Sequence, residues 1–202
     1  NHSLVCADLR IPDRHVREQL PGEWIHISDT QGLVELVSQC RPDYVVHAAF
    51  VNRKPSHCSD VAYLADVTSL NLPLFETCAK VNSRLLLTSS SAVYGLSSSE
   101  RDSPLDESCT TTPVSLYGLA KLLQETLARY VASTRGLEIC VVRFFNLCGP
   151  GQQTGMLLPD WVSRVAAIAE GGDPVLRVNN RQTSRDFVDV RDAARADRKS
   201  VV

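Results

Sequence analysis

Two kinds of segment alternate along most of the chain, and that alternation constrains its fold more than any single residue does. Short apolar runs, Ser3 to Ala7, Tyr44 to Ala49, Arg84 to Ser89 and Glu138 to Arg143, are separated by stretches whose apolar residues recur every three or four positions. Each run is almost continuously apolar, as a parallel strand covered on both faces requires. The pattern reads as successive βαβ units of an α/β chain with a parallel sheet.

The helical stretches have identifiable ends. Leu33, Leu36, Val37 and Cys40 share one face before Arg41-Pro42, where proline stops the turn. Leu64, Thr68, Leu72, Phe75 and Ala79 make a second stripe, expected to kink or break at Pro73 because proline cannot donate to the helix. A third helix starts near Leu116 and runs through Leu119, Leu123, Leu127, Tyr130 and Val131 to Gly136. A fourth runs from Asp160 through Trp161, Val165 and Ile168 to Gly171-Gly172. After Gly149-Pro150-Gly151 the strict alternation ceases. One helix remains, with short strands expected at Val175 to Val178 and around Phe187 to Val190, which reads as the start of a smaller lobe.

Composition removes several function classes. With 202 residues, 44% of them hydrophobic, the chain can bury a substantial core. Its net charge of −2, with no basic run, recommends neither nucleic acid nor anionic lipid as a partner. No apolar run approaches the ~20 residues of a membrane span, and no basic-plus-apolar secretion signal opens the chain, so a cytoplasmic location is expected. The seven cysteines are odd in number and contain no Cys-x-x-Cys pair, which argues against a disulfide framework and against a zinc site. Most are expected to be buried small residues.

Two motifs carry chemistry. Ser89-Ser90-Ser91 closes a strand, and ligands of open α/β sheets sit outside the carboxyl ends of strands. Serines alone would be read as a loop. One crossover later, Tyr117-Gly118-Leu119-Ala120-Lys121 puts a phenol and an ammonium at i and i+4 on one helix face. Alone, that spacing is more often a surface pair. Together the motifs supply a hydroxyl to hold an oxygen, a tyrosine to exchange its proton, and a cation. Tyrosine ordinarily titrates near 10, so a base near neutrality needs its phenolate stabilised by about 3 units, or roughly 4 kcal/mol.

At this point the chain resembles the extended short-chain dehydrogenases, in particular the NAD-dependent epimerase/dehydratase family acting on nucleotide sugars. Four ordered motifs carry the resemblance: Thr88 to Gly95, Tyr117 to Lys121, Arg143-Phe144-Phe145-Asn146-Leu147-Cys148-Gly149-Pro150-Gly151, and Arg185-Asp186-Phe187-Val188-Asp189-Val190-Arg191-Asp192. It implies Ser90 as the catalytic hydroxyl, Tyr117 as acid/base, and Lys121 as the residue that binds the nicotinamide ribose and lowers the tyrosine pKa. It also sets Asn146 against the substrate and Arg185 on its diphosphate, a task suited to a guanidinium fork. The bland alternatives are a turn residue for Asn146 and a surface ion pair with Asp186 or Asp189 for Arg185.

Further cofactor contacts are implied at Asp8, Ile27, Ala48, Ala49, Phe50 and Ser89. Asp8, ending the opening strand, would accept from the adenosine ribose and repel a 2′-phosphate, favouring NAD. Arg10 and Arg14 keep NADP as the alternative. His47 reads as a core histidine. The family's dehydratases carry an acid glutamate two residues after the catalytic hydroxyl, often preceded by an aspartate, where this chain has Ala92 and Ser91, so dehydration is not expected. What remains is hydride transfer at a sugar carbon, as 4-epimerisation or as reduction of a 4-keto sugar. The run Arg177-Val178-Asn179-Asn180 leans toward GDP-6-deoxy-4-keto-mannose reductases. A short-chain dehydrogenase acting on a non-nucleotide carbonyl compound and a non-catalytic dinucleotide-binding protein are the alternatives. A homodimer packed through the helix bearing Tyr117 is consistent with the resemblance, which does not decide the oligomeric state.

The resemblance places a first strand and a glycine-rich pyrophosphate turn ahead of Asn1. The expected architecture is therefore a Rossmann-like doubly wound parallel sheet lacking its first strand (residues 1–150), a partial substrate-binding lobe (151–196) and a non-native tail (197–202).

Overall fold

The computed structural model describes residues 3–8, 17–18, 22–50, 58–95, 104–152, 154–178 and 184–201, apart from the side chains of 198–201. Arg10, Arg14, Asn179 and Asn180, all invoked above, lie outside them. The strands are β1 (Val5–Asp8), β2 (Glu23–His26), β3 (Tyr44–His47), β4 (Arg84–Ser90), β5 (Ile139–Phe144), β6 (Asn146–Cys148) and β7 (Phe187–Asp189). The helices are α1 (Thr30–Cys40), α2 (Asp60–Val81), α3 (Leu116–Arg135), α4 (Leu157–Ala169) and α5 (Val190–Val201), with a 3-10 turn at Ser91–Tyr94. Two compact units are formed, residues 1–143 and 144–200.

In the first unit β1 pairs in parallel with β2, and β3 in parallel with β4, whose other neighbour is β5. Among the described residues the pair and the triplet are separate sheets. In the second unit β6 pairs in parallel with β7, Asn146 opposite Phe187. No helix among the described residues is long and apolar enough to cross a membrane.

Only β4 has the two-sided burial expected of every strand: Leu85, Leu86 and Leu87 are at most 1% exposed. β3 leaves Tyr44 and Val46 open, and β1 is exposed at both ends, because each is an edge strand of its sheet. The strands β2 and β6 escaped the sequence reading. Glu23-Trp24-Ile25-His26 is flanked by polar residues, and Asn146-Leu147-Cys148 lies within the motif read as substrate contact. Val175 to Val178 forms no strand; it is irregular and exposed.

The core is built from Leu85 and Leu87 of β4, Leu74, Phe75 and Cys78 of α2, Ala128 and Val131 of α3, and Val37 of α1. Full burial of a side chain such as Phe75 contributes roughly 2–3 kcal/mol. This explains why Pro73 does not break α2, which runs unbroken for 22 residues. An interior proline costs about 3 kcal/mol, and the turns on both sides are held by buried Val67, Leu74 and Phe75. Ser59 caps the start of α2 by accepting from the Ala62 amide, and Asn82 ends it in the left-handed conformation at φ 60°. The fourth helix begins at Leu157, before Asp160, whose carboxylate accepts from the Gly155 amide.

The helical stripes are rotated from the faces that periodicity picks out. On α2 the buried line is Tyr63, Val67, Asn71, Leu74 and Cys78, with Leu64, Thr68, Leu72 and Ala79 beside it. On α3 it is Gly118, Ala120, Lys121, Gln124, Glu125, Ala128 and Val131, while Leu119 and Tyr130 are 43% and 53% exposed. On α1 Cys40 is exposed, and of the seven free cysteines only Cys78 is buried. The cysteines are spread over element ends and half-covered strands, so small size alone did not bury them.

One ion cluster fastens α3 to the sheet. The fully buried Glu125 carboxylate accepts two bonds from Arg143 of β5 at 2.9 and 2.8 Å, one from Ser89 of β4 at 2.5 Å and one from Arg129 at 2.9 Å. Arg143 also donates to the Tyr94 hydroxyl at 2.9 Å. Burial pushes the Glu125 carboxyl up, but the bonds from Arg143, Ser89 and Arg129 outweigh it and hold it below the usual carboxylate range. Removing one partner of such a pair strands a buried charge, so Glu125→Ala is expected to lower unfolding stability by about 3–5 kcal/mol. Urea denaturation of parent and variant checks this, and Glu125→Gln should lose less than Glu125→Ala because it fills the same space and keeps one acceptor oxygen.

Candidate active site

The site forms where β4 ends. Ser90 terminates the strand and caps the following 3-10 turn, its hydroxyl accepting from the Ala92 amide at 3.2 Å. That turn presses on the first turn of α3. A Cβ on Gly118 would come within 2.4 Å of the Ala92 carbonyl, so only glycine permits this approach. Ser115 caps the helix by accepting from the Gly118 amide at 3.0 Å. The result places Tyr117 beside Ser90, close enough for the serine to offset part of the effect of burial on the phenol.

Lys121, one turn further, is 3% exposed. Its ammonium donates to the Thr88 carbonyl at 2.8 Å and the Gln124 side-chain oxygen at 3.3 Å, and lies 3.9 Å from the centre of the Phe50 ring. Phe50 meets the Tyr117 ring edge-on with centroids 5.5 Å apart. The structure thus assembles Ser90, Tyr117, Lys121 and Phe50 from β4, α3 and the segment after β3. Ala48 and Ala49 are exposed in that same segment.

Electrostatics distinguishes the two titratable groups. Burial raises the Tyr117 phenol above its ordinary value, partly offset by Ser90. Burial lowers Lys121 to about 8, with Glu125 acting the other way. Burial thus favours the protonated phenol.

The remaining expected residues fall in different places. Asp8 is exposed at the end of β1, and its carbonyl accepts from the Ile27 amide at 3.1 Å, so these two are brought together. Ser89 is buried and its hydroxyl is spent on Glu125. In the second unit, both the amide and the side chain of Asn146 donate to the Asp186 carbonyl, at 3.2 and 2.9 Å, so Asn146 ties β6 to the start of β7. Arg185 is exposed and donates to the Ser184 carbonyl at 2.9 Å. Asp189 pairs instead with Arg191, at 2.6 Å.

These observations meet in a comparison with known proteins. The model of the NAD dependent epimerase/dehydratase family matches residues 2–198. The chain belongs to that family. GDP-6-deoxy-D-mannose reductase of Pseudomonas aeruginosa is 30% identical over 77% of this chain and 52% of its own length. UDP-glucose 4-epimerase of Azospirillum brasilense is 28% identical over 71% of this chain and 42% of its own. The structure of MoeE5 in complex with UDP-glucuronic acid and NAD superposes with a TM-score of 0.74 at 29% identity, over 98% of this chain and 63% of that one. The chain thus spans about half the length of the curated relatives it matches.

Family motifs did not disclose the polar residues beneath the site. His47, 4% exposed, donates through Nε2 to Asn71 Oδ1 at 2.8 Å, since an amide oxygen can only accept. Burial, opposed by the Asn71 bond and aided by Lys121, lowers His47 to about 4, confirming a neutral core histidine. The folded state binds fewer protons than the unfolded one between that value and the ordinary 6.5. His47 therefore supports stability above 6.5 and withdraws it as pH falls toward 4, by roughly 3 kcal/mol over the window. Urea midpoints measured across that window should slope downward in the parent and flatten in His47→Gln.

Proposed function

We propose that the chain is part of an NAD(P)-dependent enzyme that transfers a hydride at a sugar carbon of a nucleotide sugar, by 4-epimerisation or by reduction of a 4-keto sugar. The observation that carries this is the convergence of Ser90, Tyr117 and Lys121 at the carboxyl end of β4, where the Lys121 ammonium is buried against the Thr88 carbonyl. The relatives named above, a reductase of a GDP-sugar, an epimerase of a UDP-sugar and a protein solved with a UDP-sugar and NAD, support the substrate class.

The residues present suit such a cofactor. Asp8 and the Ile27 backbone meet at the end of β1 and would hold the adenosine end. The small side chains of Ala48 and Ala49 let a ligand approach the backbone after β3. An ammonium has three N–H donors, and Thr88 and Gln124 use two of them, leaving one for a ribose hydroxyl. When bound, a nicotinamide supplies and takes back the hydride and adds a positive charge beside Tyr117. Tyr117 gives its proton to the sugar oxygen as the carbonyl is reduced. Ser90, whose oxygen accepts from the Ala92 amide, donates its single hydroxyl proton to that same sugar oxygen. Asn146 and Arg185 are assigned to the nucleotide-sugar, with Arg185 exposed and carrying a guanidinium suited to a diphosphate. Ala92 stands where a dehydratase acid would be, which supports hydride transfer without loss of water.

The test uses the full-length protein with UDP- and GDP-sugars and their 4-keto derivatives, following reduced nicotinamide by absorbance and separating the products. Consumption of reduced cofactor identifies the reductase, and interconversion of sugar isomers without net consumption identifies the epimerase. Tyr117→Phe is expected to lower turnover about 10²–10⁴-fold with nucleotide-sugar affinity kept. Unchanged turnover in that variant, or no reaction of the parent with any nucleotide sugar, overturns the assignment.

A further inference from the structure

Between α2 and α3, directly under the site, two amides are wholly buried. Asn71 and Gln124 are both 0% exposed. An apolar pair would seal a helix seam without the cost of about 1–3 kcal/mol that an unpaired buried amide incurs, so their polarity calls for a cause. Their hydrogen bonds have a definite sense. Asn71 donates through Nδ2 to the Val67 carbonyl at 2.6 Å, which fixes the orientation of its amide. Its oxygen then accepts twice, from His47 at 2.8 Å and from Gln124 Nε2 at 2.6 Å. With its nitrogen so committed, Gln124 must turn its oxygen toward the Lys121 ammonium, 3.3 Å away.

We propose that Gln124 is a positioning residue for Lys121, held in register by Asn71, and that this ladder of two amides sets both the direction and the charge of the ammonium. The functional meaning rests on the role given to Lys121 above. Without Gln124 the ammonium has one fixed acceptor left, the Thr88 carbonyl, and is free to swing about it over the Phe50 ring. The ladder also ties the ammonium to the last residue of β3, immediately before Ala48, Ala49 and Phe50, so the two walls of the site are set by one chain of bonds. The charged and titratable groups around Lys121 are Glu125 and Tyr117 on its own helix, His47 from β3, and Tyr63 of α2 beside Tyr117. Of β4 it meets the Thr88 backbone. Of these groups only His47 is linked to Gln124, through the Asn71 oxygen they share, and the others do not touch that residue's side chain.

The experiment titrates Lys121 in the full-length protein carrying isotope-labelled lysine, by nuclear magnetic resonance, comparing the parent with Gln124→Met and Gln124→Glu. Losing a bond to a charged group should lower the Lys121 midpoint by about one pH unit in Gln124→Met, and a carboxylate at the same place should raise it by about one unit in Gln124→Glu. The alkaline limb of turnover should move in the same two directions. A merely structural glutamine would change the melting temperature and leave the midpoint where it was. If Gln124→Met fails to fold, Gln124→Leu removes the same acceptor and decides by the same reading. Folded variants whose midpoints match the parent overturn the proposal. The titration needs no substrate, so a parent that transfers no hydride would defeat the proposed reaction while this inference is still decided by the resonance of Lys121.

Discussion

The Glu125 carboxylate is the constraint on which the rest of the first unit depends. It lies on α3, yet its partners come from β4, β5 and α3 itself. Four hydrogen bonds converge on one buried group, and such a charge is tolerated inside a protein only when it is saturated in this way. Once α3 is docked on this cluster its azimuth is determined. Lys121, four residues earlier, must then lie on the same inward face, and Tyr117, four earlier again, must emerge at the end of β4. The site geometry follows from the ion cluster as much as from the site residues.

The same docking explains why the site is polar to its base. α2 and α3 meet along a line that includes Asn71, Gln124 and Lys121, continued by apolar Leu74, Cys78, Ala128 and Val131. The apolar half supplies adhesion and the polar half supplies direction. A buried amide network of this kind rigidifies only when all its members are paired. Here Asn71 uses both its amide atoms, and Gln124 does the same. His47 is held neutral by its surroundings and so contributes a donor without contributing a charge.

Burial acts on both titratable groups of the site in the same sense. It raises the Tyr117 phenol and lowers the Lys121 ammonium to about 8, so each is shifted toward its neutral form by the poorly solvated space they share.

The βαβ alternation, the positions of β4 and α3, and the i, i+4 spacing of Tyr117 and Lys121 were legible in the residues alone. Strand runs, a helix end such as Gly136, and i, i+4 spacing are local, and local patterns are carried by local sequence. Which face of each helix is buried was not legible. Periodicity of apolar residues pointed α3 toward Leu119 and Tyr130, whereas the fold buried Lys121, Gln124 and Glu125. Those polar side chains can be buried only because their partners arrive from far along the chain. Asn71 and Gln124 are 53 residues apart, Ser89 and Glu125 36, and Thr88 and Lys121 33. Pro73 makes the same point for the backbone, since contacts made by its neighbours outweigh a local rule. The sequence by itself determined which chemical groups this protein carries and on which elements. Only the tertiary structure decided which of them face one another, because desolvation of a polar group is favourable or ruinous according to partners that no local stretch contains.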